Sequence, residues 1–235
     1  MSNEVLVSLA DQVRPAHTAL LVVDVQNDFV HPDGWVMRRG VRDFGDSATI
    51  PAAMEAMGAL LSAARAHDLV TVLIRMIGDV RYLSLAMQAQ YRRLHGEAQP
   101  PCVIDGTWGA ELHEDFLAVP RPREFVVDKQ KYSAFAGTRL DTILRMHAIK
   151  TVVVCGVATS GCVESTVRDA LFADYYVVTA GDGCADYDPD RHRASLRKLD
   201  LSFGYVVPAR DVVECWGAAP PPAGVPAGSG VAAGA

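Results

Sequence analysis

The 235-residue sequence has no long apolar run, no block of basic residues and no signal-peptide pattern at its start. Since no apolar stretch approaches the ~18 residues of a membrane span, we expect no membrane contact. A net charge of −6 argues against binding to nucleic acid or to an anionic membrane surface. Residues 1–5 lack the basic and apolar regions of a leader, which predicts a cytoplasmic protein.

Paired cysteine motifs are also missing. The cysteines are odd in number and none has CxxC spacing, so a zinc ribbon and a full disulfide framework are both disfavoured. Free cysteines are usually buried core residues, and we expect this of most of them. The five thiols belong to Cys102, Cys155, Cys162, Cys184 and Cys215. Cys162 is treated separately below because of the pattern around it.

Short β-branched runs alternate along the chain with helical patterns. The runs predict strands at 19–24, 69–74, 124–127, 151–155, 175–179 and 205–207. The helical patterns lie at 51–67, 138–147, 162–173 and 189–200. Because such alternation implies βαβ crossovers, the predicted class is α/β: a single-domain, three-layer α-β-α fold with a mostly parallel, Rossmann-like sheet of about six strands.

Two regions depart from this alternation. Residues 77–107 are long for a connection, with a possible short helix at 82–94 and another helical pattern near 110–116. Long connections of this kind serve as lids or as oligomer contacts, and the sequence leaves both open. We expect residues 1–216 to form the domain and the Pro/Gly/Ala-rich residues 217–235 to be a disordered tail.

Polar residues stand where three predicted strands end. Asp24 ends the first strand, Lys129 follows the third, and Cys162 follows the fourth after a short turn. Ligands of open α/β sheets bind outside the carboxyl ends of the strands, so these side chains should meet. A thiol at a helix N-terminus is in an environment that lowers its pKa. The set predicts a cysteine nucleophile, a carboxylate that exchanges protons and an ammonium that supplies electrostatic support.

Each of these residues also has a plainer interpretation. Asp24 alone could terminate a strand, and Lys129 alone could be a surface lysine with Lys131 as a competitor. Cys162 alone could be structural. Their joint placement at three strand ends favours the catalytic interpretation.

Three ordered motifs carry a family resemblance. They are VVDVQNDF at 22–29, KQKYSAF at 129–135 and GVATSGCVEST at 156–166. The chain resembles the isochorismatase-like cysteine hydrolases from about residue 18 to about residue 213. The resemblance implies Asp24 as general acid and base, Lys129 as the positioning cation and Cys162 as the nucleophile. It further implies a cis peptide between Val157 and Ala158, and an oxyanion hole made by the backbone N–H groups of Ala158 and Cys162.

Within this family, GTWGAE at 106–111 and YSAF at 132–135 are most similar to the ureidoacrylate and N-carbamoyl amidohydrolase branch. The implied reaction cleaves the C–N bond of a small amide, ureido or N-carbamoyl compound through a thioester and releases ammonia. We expect the substrate pocket to contain Phe29, Arg75, Trp108, Tyr132 and Phe135. Arg75 could hold a substrate carboxylate or pair with an internal acid.

Metals and cofactors are not expected. Nicotinamidases of the family carry an Asp-x-His metal motif, whereas residues 75–81 (RMIGDVR) contain no histidine and His31 stands alone. The expected partners are a small-molecule substrate and further copies of the chain, because the family forms dimers or tetramers.

Other functions remain as alternatives. Isochorismatase proper cleaves a vinyl ether without a cysteine nucleophile. A phosphate loop would share the spacing of Gly156 and Gly161, but Cys162 and Val163 stand where lysine and serine or threonine are needed. A non-catalytic member of the fold is the third alternative.

Overall fold

Six parallel strands form one sheet in the computed structural model, which describes residues 5–39, 49–96 and 98–218. The strands are β1 (Thr18–Val23), β2 (Val70–Met76), β3 (Glu124–Lys129), β4 (Thr151–Val157), β5 (Tyr176–Ala185) and β6 (Tyr205–Val207). Their order is β3-β2-β1-β4-β5-β6, and every pairing between them is parallel. From β1 the chain adds β2 and β3 on one side, and it then returns to add β4, β5 and β6 on the other side of β1. The order of the strands therefore reverses between the neighbours β1 and β4. In such sheets the ligand crevice lies at this reversal.

The central strands are apolar because both of their faces are covered. All six residues of β1 are buried. Leu20 and Val22 pack into the core on one face, and Leu21 and Val23 pack into the core on the other. This two-sided burial confirms the predicted three-layer α/β fold.

Nine α-helices occur within the described residues: α1 (Leu9–Gln12), α2 (Asn27–Val30), α3 (Trp35–Arg39), α4 (Ile50–Ala66), α5 (Leu85–His95), α6 (Leu140–Met146), α7 (Glu164–Phe172), α8 (Pro189–Ser202) and α9 (Ala209–Ala218). Helices α4 and α9 share one core with a face of the sheet, while α6, α7 and α8 pack on the opposite face. No helix in these ranges is long and apolar enough to cross a bilayer.

The helix predicted near 110–116 is wrong. Two short 3-10 turns, Trp108–Ala110 and Glu114–Phe116, lie there instead. Between them, Leu112 pairs with Gln26 in an isolated antiparallel bridge, and the His113 side chain accepts a hydrogen bond from the Asp115 backbone N–H. Both contacts hold the backbone away from a continuous helix.

Helix α9 was not predicted. Its buried face contains Val212 and Trp216, four residues apart, and Trp216 Nε1 donates to the carbonyl of Val13 at 2.9 Å. Gly217 and Ala218 belong to this helix, so the predicted tail begins inside it, and residues 219–235 lie outside the described residues. Strand β5 is also longer than predicted, since it continues through Gly181 and Gly183 to Ala185.

Candidate active site

The three predicted catalytic side chains meet at the carboxyl edge of the sheet. Asp24 directly follows β1, Lys129 is the last residue of β3, and Cys162 lies in the π-helical turn Thr159–Val163 after β4. Lys129 Nζ lies 2.8 Å from Asp24 Oδ2 and 3.2 Å from Cys162 Sγ. All three residues are buried. The strand-end argument therefore identified side chains that are in direct contact.

Lys129 reaches across a neighbouring strand to make these contacts. Its strand, β3, is separated from β1 by β2, and adjacent strands lie ~4.8 Å apart. β1 and β3 are thus roughly 10 Å apart, and the buried lysine stem and the Asp24 side chain together bridge this distance. A third contact, at 3.2 Å to the carbonyl of Lys131, occupies the remaining donor of the ammonium. Lys131, the alternative lysine considered in the sequence, thus contributes its backbone carbonyl to the site.

The protonation of the site follows from burial and neighbouring charge. Burial raises the pKa of the Asp24 carboxyl, and the positive charge of Lys129 opposes this shift. Burial works against the ammonium of Lys129, but the Asp24 carboxylate and Cys162 outweigh it and raise the pKa of Lys129. The raised pKa favours the charged form of Lys129.

The expected lowering of the thiol pKa is not found. Burial, followed by the negative charge of Asp24, raises the pKa of Cys162 above its ordinary value, and Lys129 offsets only part of this. The raised pKa favours the protonated thiol of Cys162, which would need a base in order to act as a nucleophile. Asp24 is the neighbouring carboxylate that can accept its proton.

The turn that carries Cys162 begins with a close approach of two strands. Gly156 has φ 132°, and a Cβ atom there would lie 2.1 Å from the carbonyl oxygen of Val23. Only glycine fits at this position. The peptide bond between Val157 and Ala158 is cis. The Ala158 carbonyl then accepts hydrogen bonds from Gly161 N at 3.0 Å and Val163 N at 3.2 Å, which close the turn.

Two residues of the β5–α8 junction hold the same turn from outside. Asp186 Oδ2 accepts a 2.6 Å hydrogen bond from Ser160 N, and His192 Nδ1 lies 2.8 Å from Thr159 Oγ1. Sequence reasoning missed both, although Asp186 directly follows the true end of β5 and the strand-end argument would have selected it. Because Asp186 occupies the Ser160 N–H, this turn is also poorly suited to cradle a phosphate.

The remaining polar residues of the first motif hold neighbouring segments together. Gln26 bonds both backbone groups of Met76, at 2.7 and 2.9 Å, and the carbonyl of Ala110 at 2.8 Å. Asp28 accepts hydrogen bonds from Val103 N at 2.6 Å and Trp35 N at 3.0 Å. These contacts fix the loops around the site, a role that the sequence did not reveal.

A cavity of about 470 Å³ opens beside Asp24 and Cys162, within the usual range for small-molecule sites. Phe29 and Tyr132, two of the expected pocket residues, line it. The segment that was flagged only for its length forms much of the wall, through Leu83, Tyr91, Leu94, His95, Cys102 and Val103. Helix α5, at the centre of this segment, has no buried residue of its own.

The other three expected pocket residues lie outside the cavity lining. Arg75 is paired in register with Asp128 on β3 and forms a bidentate ion pair with it at 2.7 and 2.9 Å. The ring of Phe135 packs 6.0 Å from that of Tyr175. Trp108 is half exposed and places its ring 5.0 Å from that of His31. Of the two roles considered for Arg75, pairing with an internal acid is the one observed.

The histidines and acids near the site do not form an evident metal centre. Within the described ranges, no group of three or more His, Cys, Asp or Glu side chains is arranged to hold a metal ion. The groups in contact at the site are a thiol, a carboxylate and an ammonium.

Comparisons with known proteins give one family and one fold. Residues 18–211 match the model of the isochorismatase domain family. The chain is 32% identical over 208 residues to the ureidoacrylate amidohydrolase RutB of Acinetobacter baylyi, an alignment that covers 84% of this chain and 82% of that protein. RutB of Methylobacterium radiotolerans is 32% identical over 229 residues, covering 93% and 85% of the two chains.

Solved structures of two hydrolases superpose on the chain. The crystal structure of a cysteine hydrolase from Pseudomonas syringae pv. phaseolicola superposes with a TM-score of 0.74 at 26% identity, covering 92% of this chain and 99% of that one. An isochorismatase-like hydrolase from Alkaliphilus metalliredigens superposes with a TM-score of 0.65 at 27% identity, covering 85% and 96%.

Proposed function

The chain belongs to the isochorismatase domain family and is an amidohydrolase, and we propose that it cleaves the C–N bond of a small amide, ureido or N-carbamoyl compound with Cys162 as its nucleophile. The observation that carries this proposal is the contact of Lys129 Nζ with both Asp24 Oδ2, at 2.8 Å, and Cys162 Sγ, at 3.2 Å. The ureidoacrylate specificity of the RutB relatives supports a ureido compound as the first substrate to test.

The first half of the reaction forms a thioester. Asp24 accepts the proton of the Cys162 thiol, while Lys129 stabilises the negative charge on sulfur. The sulfur attacks the substrate carbonyl, and the backbone N–H groups of Ala158 and Cys162 hold the resulting oxyanion. The C–N bond then breaks as Asp24 returns the proton to the departing nitrogen, which leaves as ammonia when the scissile group is a primary amide.

The second half regenerates the enzyme. Asp24, again a carboxylate, takes a proton from a water molecule that attacks the thioester carbonyl. The carbon–sulfur bond breaks, the acid product leaves and the thiol recovers its proton. One carboxylate therefore serves both half-reactions, and Lys129 Nζ contacts both this carboxylate and the thiol.

Ammonia release from a panel of ureido acids, N-carbamoyl amino acids and simple amides tests the proposal. We expect turnover of at least one ureido compound by the wild type and a loss of at least about a thousandfold in Cys162→Ala. Cys215→Ala, which removes a thiol on α9 far along the chain, is the matched control and should retain activity. An active Cys162→Ala protein would overturn the cysteine mechanism.

A further inference from the structure

A buried threonine joins the turn that carries Cys162 to the loop that follows Lys129. Thr166 lies in α7 and is fully buried. Its hydroxyl donates a hydrogen bond to the backbone carbonyl of Cys162 at 2.7 Å and accepts one from the backbone N–H of Ala134 at 3.0 Å. One side chain thus connects two of the three sequence motifs through their backbones.

The loop at the other end of this bridge contacts the ammonium. Lys131 lies three residues before Ala134, and its carbonyl accepts from Lys129 Nζ at 3.2 Å. The carbonyl of Ala134 is also bonded, because it accepts from the Thr138 hydroxyl at 2.5 Å. Threonine hydroxyls therefore hold both backbone groups of Ala134, and the loop is fixed close to the carbonyl that contacts Lys129.

The bond from Ala134 distinguishes Thr166 from an ordinary helical threonine. Serine and threonine within helices often bond the carbonyl four residues earlier, and the bond to Cys162 alone would be of this local kind. The N–H of Ala134 comes from a separate segment, 32 residues away in the sequence. Without the hydroxyl this buried N–H would lose its acceptor, so the two segments depend on one oxygen atom.

We propose that Thr166 is a positioning residue for the hydrolysis, whose hydroxyl holds the Cys162 thiol at its contact distance from the Lys129 ammonium. The inference rests on the proposed function, in which this thiol is the nucleophile. Thr166 does not line the cavity, so it acts through Cys162 and Ala134 and does not touch the substrate. The contact that it preserves is 3.2 Å long. A misplacement of about 1 Å in a reacting group can lower a rate about a hundredfold.

Alkylation of Cys162 tests this role without a substrate. Lys129 favours the thiolate, so a longer distance between Nζ and Sγ should leave less thiolate at a given pH. Thr166→Val keeps the shape of the side chain and lacks the hydroxyl. We expect iodoacetamide to label its Cys162 peptide about tenfold more slowly than in the wild type, as measured by mass spectrometry. Thr166→Ser keeps the hydroxyl and should restore most of the rate. An unchanged or faster rate in Thr166→Val would overturn the proposal.

Thr18→Val is the matched control. Thr18 is also fully buried, and its hydroxyl also donates to the carbonyl four residues earlier, that of Arg14, at 2.8 Å. It is the first residue of β1, at the opposite end of the strand from Asp24. Thr18→Val should unfold at a lower urea concentration, as Thr166→Val should, yet its Cys162 should be labelled at the wild-type rate. Equal slowing in both variants would reveal a general effect of destabilisation and rule out a positioning role.

A second pair of variants serves if Thr166→Val does not fold. Thr166→Ser and Thr166→Ala differ by the hydroxyl alone, and both leave more room in the core. The serine variant should label at Cys162 about tenfold faster than the alanine variant. Equal rates in the two variants would contradict the proposal.

Turnover separates the role of Thr166 from the proposed function. In Thr166→Val, kcat for a ureido compound should fall at least about tenfold while KM stays within about twofold, because the residues that line the cavity are unchanged. A raised KM at unchanged kcat would indicate an effect on substrate binding and would refute positioning of the thiol. If the wild type cleaves no compound of the panel, the proposed function fails, and the alkylation rates alone decide whether Thr166 positions Cys162.

Discussion

Asp186 accepts a 2.6 Å hydrogen bond from the backbone N–H of Ser160, two residues before Cys162. The second oxygen of the same carboxylate accepts the N–H of Tyr187. Asp186, the residue after β5, therefore holds the turn that follows the neighbouring strand β4. This contact gives the turn that carries Cys162 a support outside its own segment.

Replacement of Asp186 by alanine should disturb that support. We expect Asp186→Ala to lose about 2 kcal/mol of stability, since the buried N–H of Tyr187 and the partly buried N–H of Ser160 are left without their acceptor. The rate at which Cys162 is alkylated should change as well, and so should kcat. Asp190→Ala, at an exposed acid on α8, is the control and should change neither. Urea unfolding measures the stability, and alkylation kinetics measure the reactivity of Cys162. If Asp186→Ala is destabilised but its Cys162 is alkylated at the wild-type rate, the role of Asp186 is purely structural.

Loss of the buried cation should be costly in two ways. Lys129→Met leaves the Asp24 carboxylate buried without its partner, which typically destabilises a protein by about 3–5 kcal/mol or forces the acid to take up a proton. A protonated Asp24 cannot accept the thiol proton, so kcat should fall with stability. Lys198→Met, at an exposed lysine of α8, is the control in urea unfolding and in turnover assays. A fully active Lys129→Met protein would contradict the placement of Lys129 in the mechanism.

The contacts of Lys129 with Asp24 and Cys162 could be predicted because each residue stands beside a clear strand. An apolar β-branched run followed by one polar residue is unambiguous at Asp24, and the parallel topology then brings the strand ends together. Asp186 was not predicted because Gly181, Asp182 and Gly183 interrupt the apolar pattern of β5. The predicted strand therefore ends six residues before the observed one. The site was thus predictable where the pattern was continuous and was missed where it was broken.

The directions in which side chains point were the other feature that the sequence did not predict. Arg75 was placed in the pocket from its position near a strand end, yet its ion pair depends on the register of β2 against β3, which puts Asp128 beside it. The cavity wall at 83–103 has no signal in the sequence except its length and a short helical pattern, because α5 buries no residue and has no apolar face packed on the core. Neither relationship can be obtained without the tertiary structure.

The protonation state of the thiol gives a prediction for alkylation. Because burial and the charge of Asp24 raise the pKa of Cys162 above its ordinary value of 9.0, the rate of labelling by iodoacetamide should still be rising with pH beyond that value. Mass spectrometry of the Cys162 peptide from pH 6 to 10 gives the profile, with unfolded protein as the reference. A plateau reached below neutral pH would show a resting thiolate and would remove the need for Asp24 as base.

The pH dependence of turnover should follow Asp24. Its pKa is raised from the ordinary 3.8, chiefly by burial, so the carboxylate gains its proton at a higher pH than an exposed aspartate does. As pH falls through that raised pKa the base is lost, and kcat/KM should decline with a midpoint above 3.8. The stability linkage has the opposite sense: a raised carboxyl pKa contributes stability below the unfolded value and loses it as pH rises through the folded value. Activity should therefore be lost on acidification before the fold is, and a decline that coincides with acid unfolding would contradict the assignment.

The extent of the folded domain can be tested at α9. Trp216 is fully buried and bonds the Val13 carbonyl, so the helix is part of the core and not a start of the tail. Trp216→Ala should cost about 3–5 kcal/mol, the usual loss for a buried aromatic residue. A chain ended after Ala218 should unfold at the same urea concentration as the full chain, whereas one ended after Pro208 should unfold earlier or fail to fold. Equal stability of the two truncated chains would show that the domain is complete without α9.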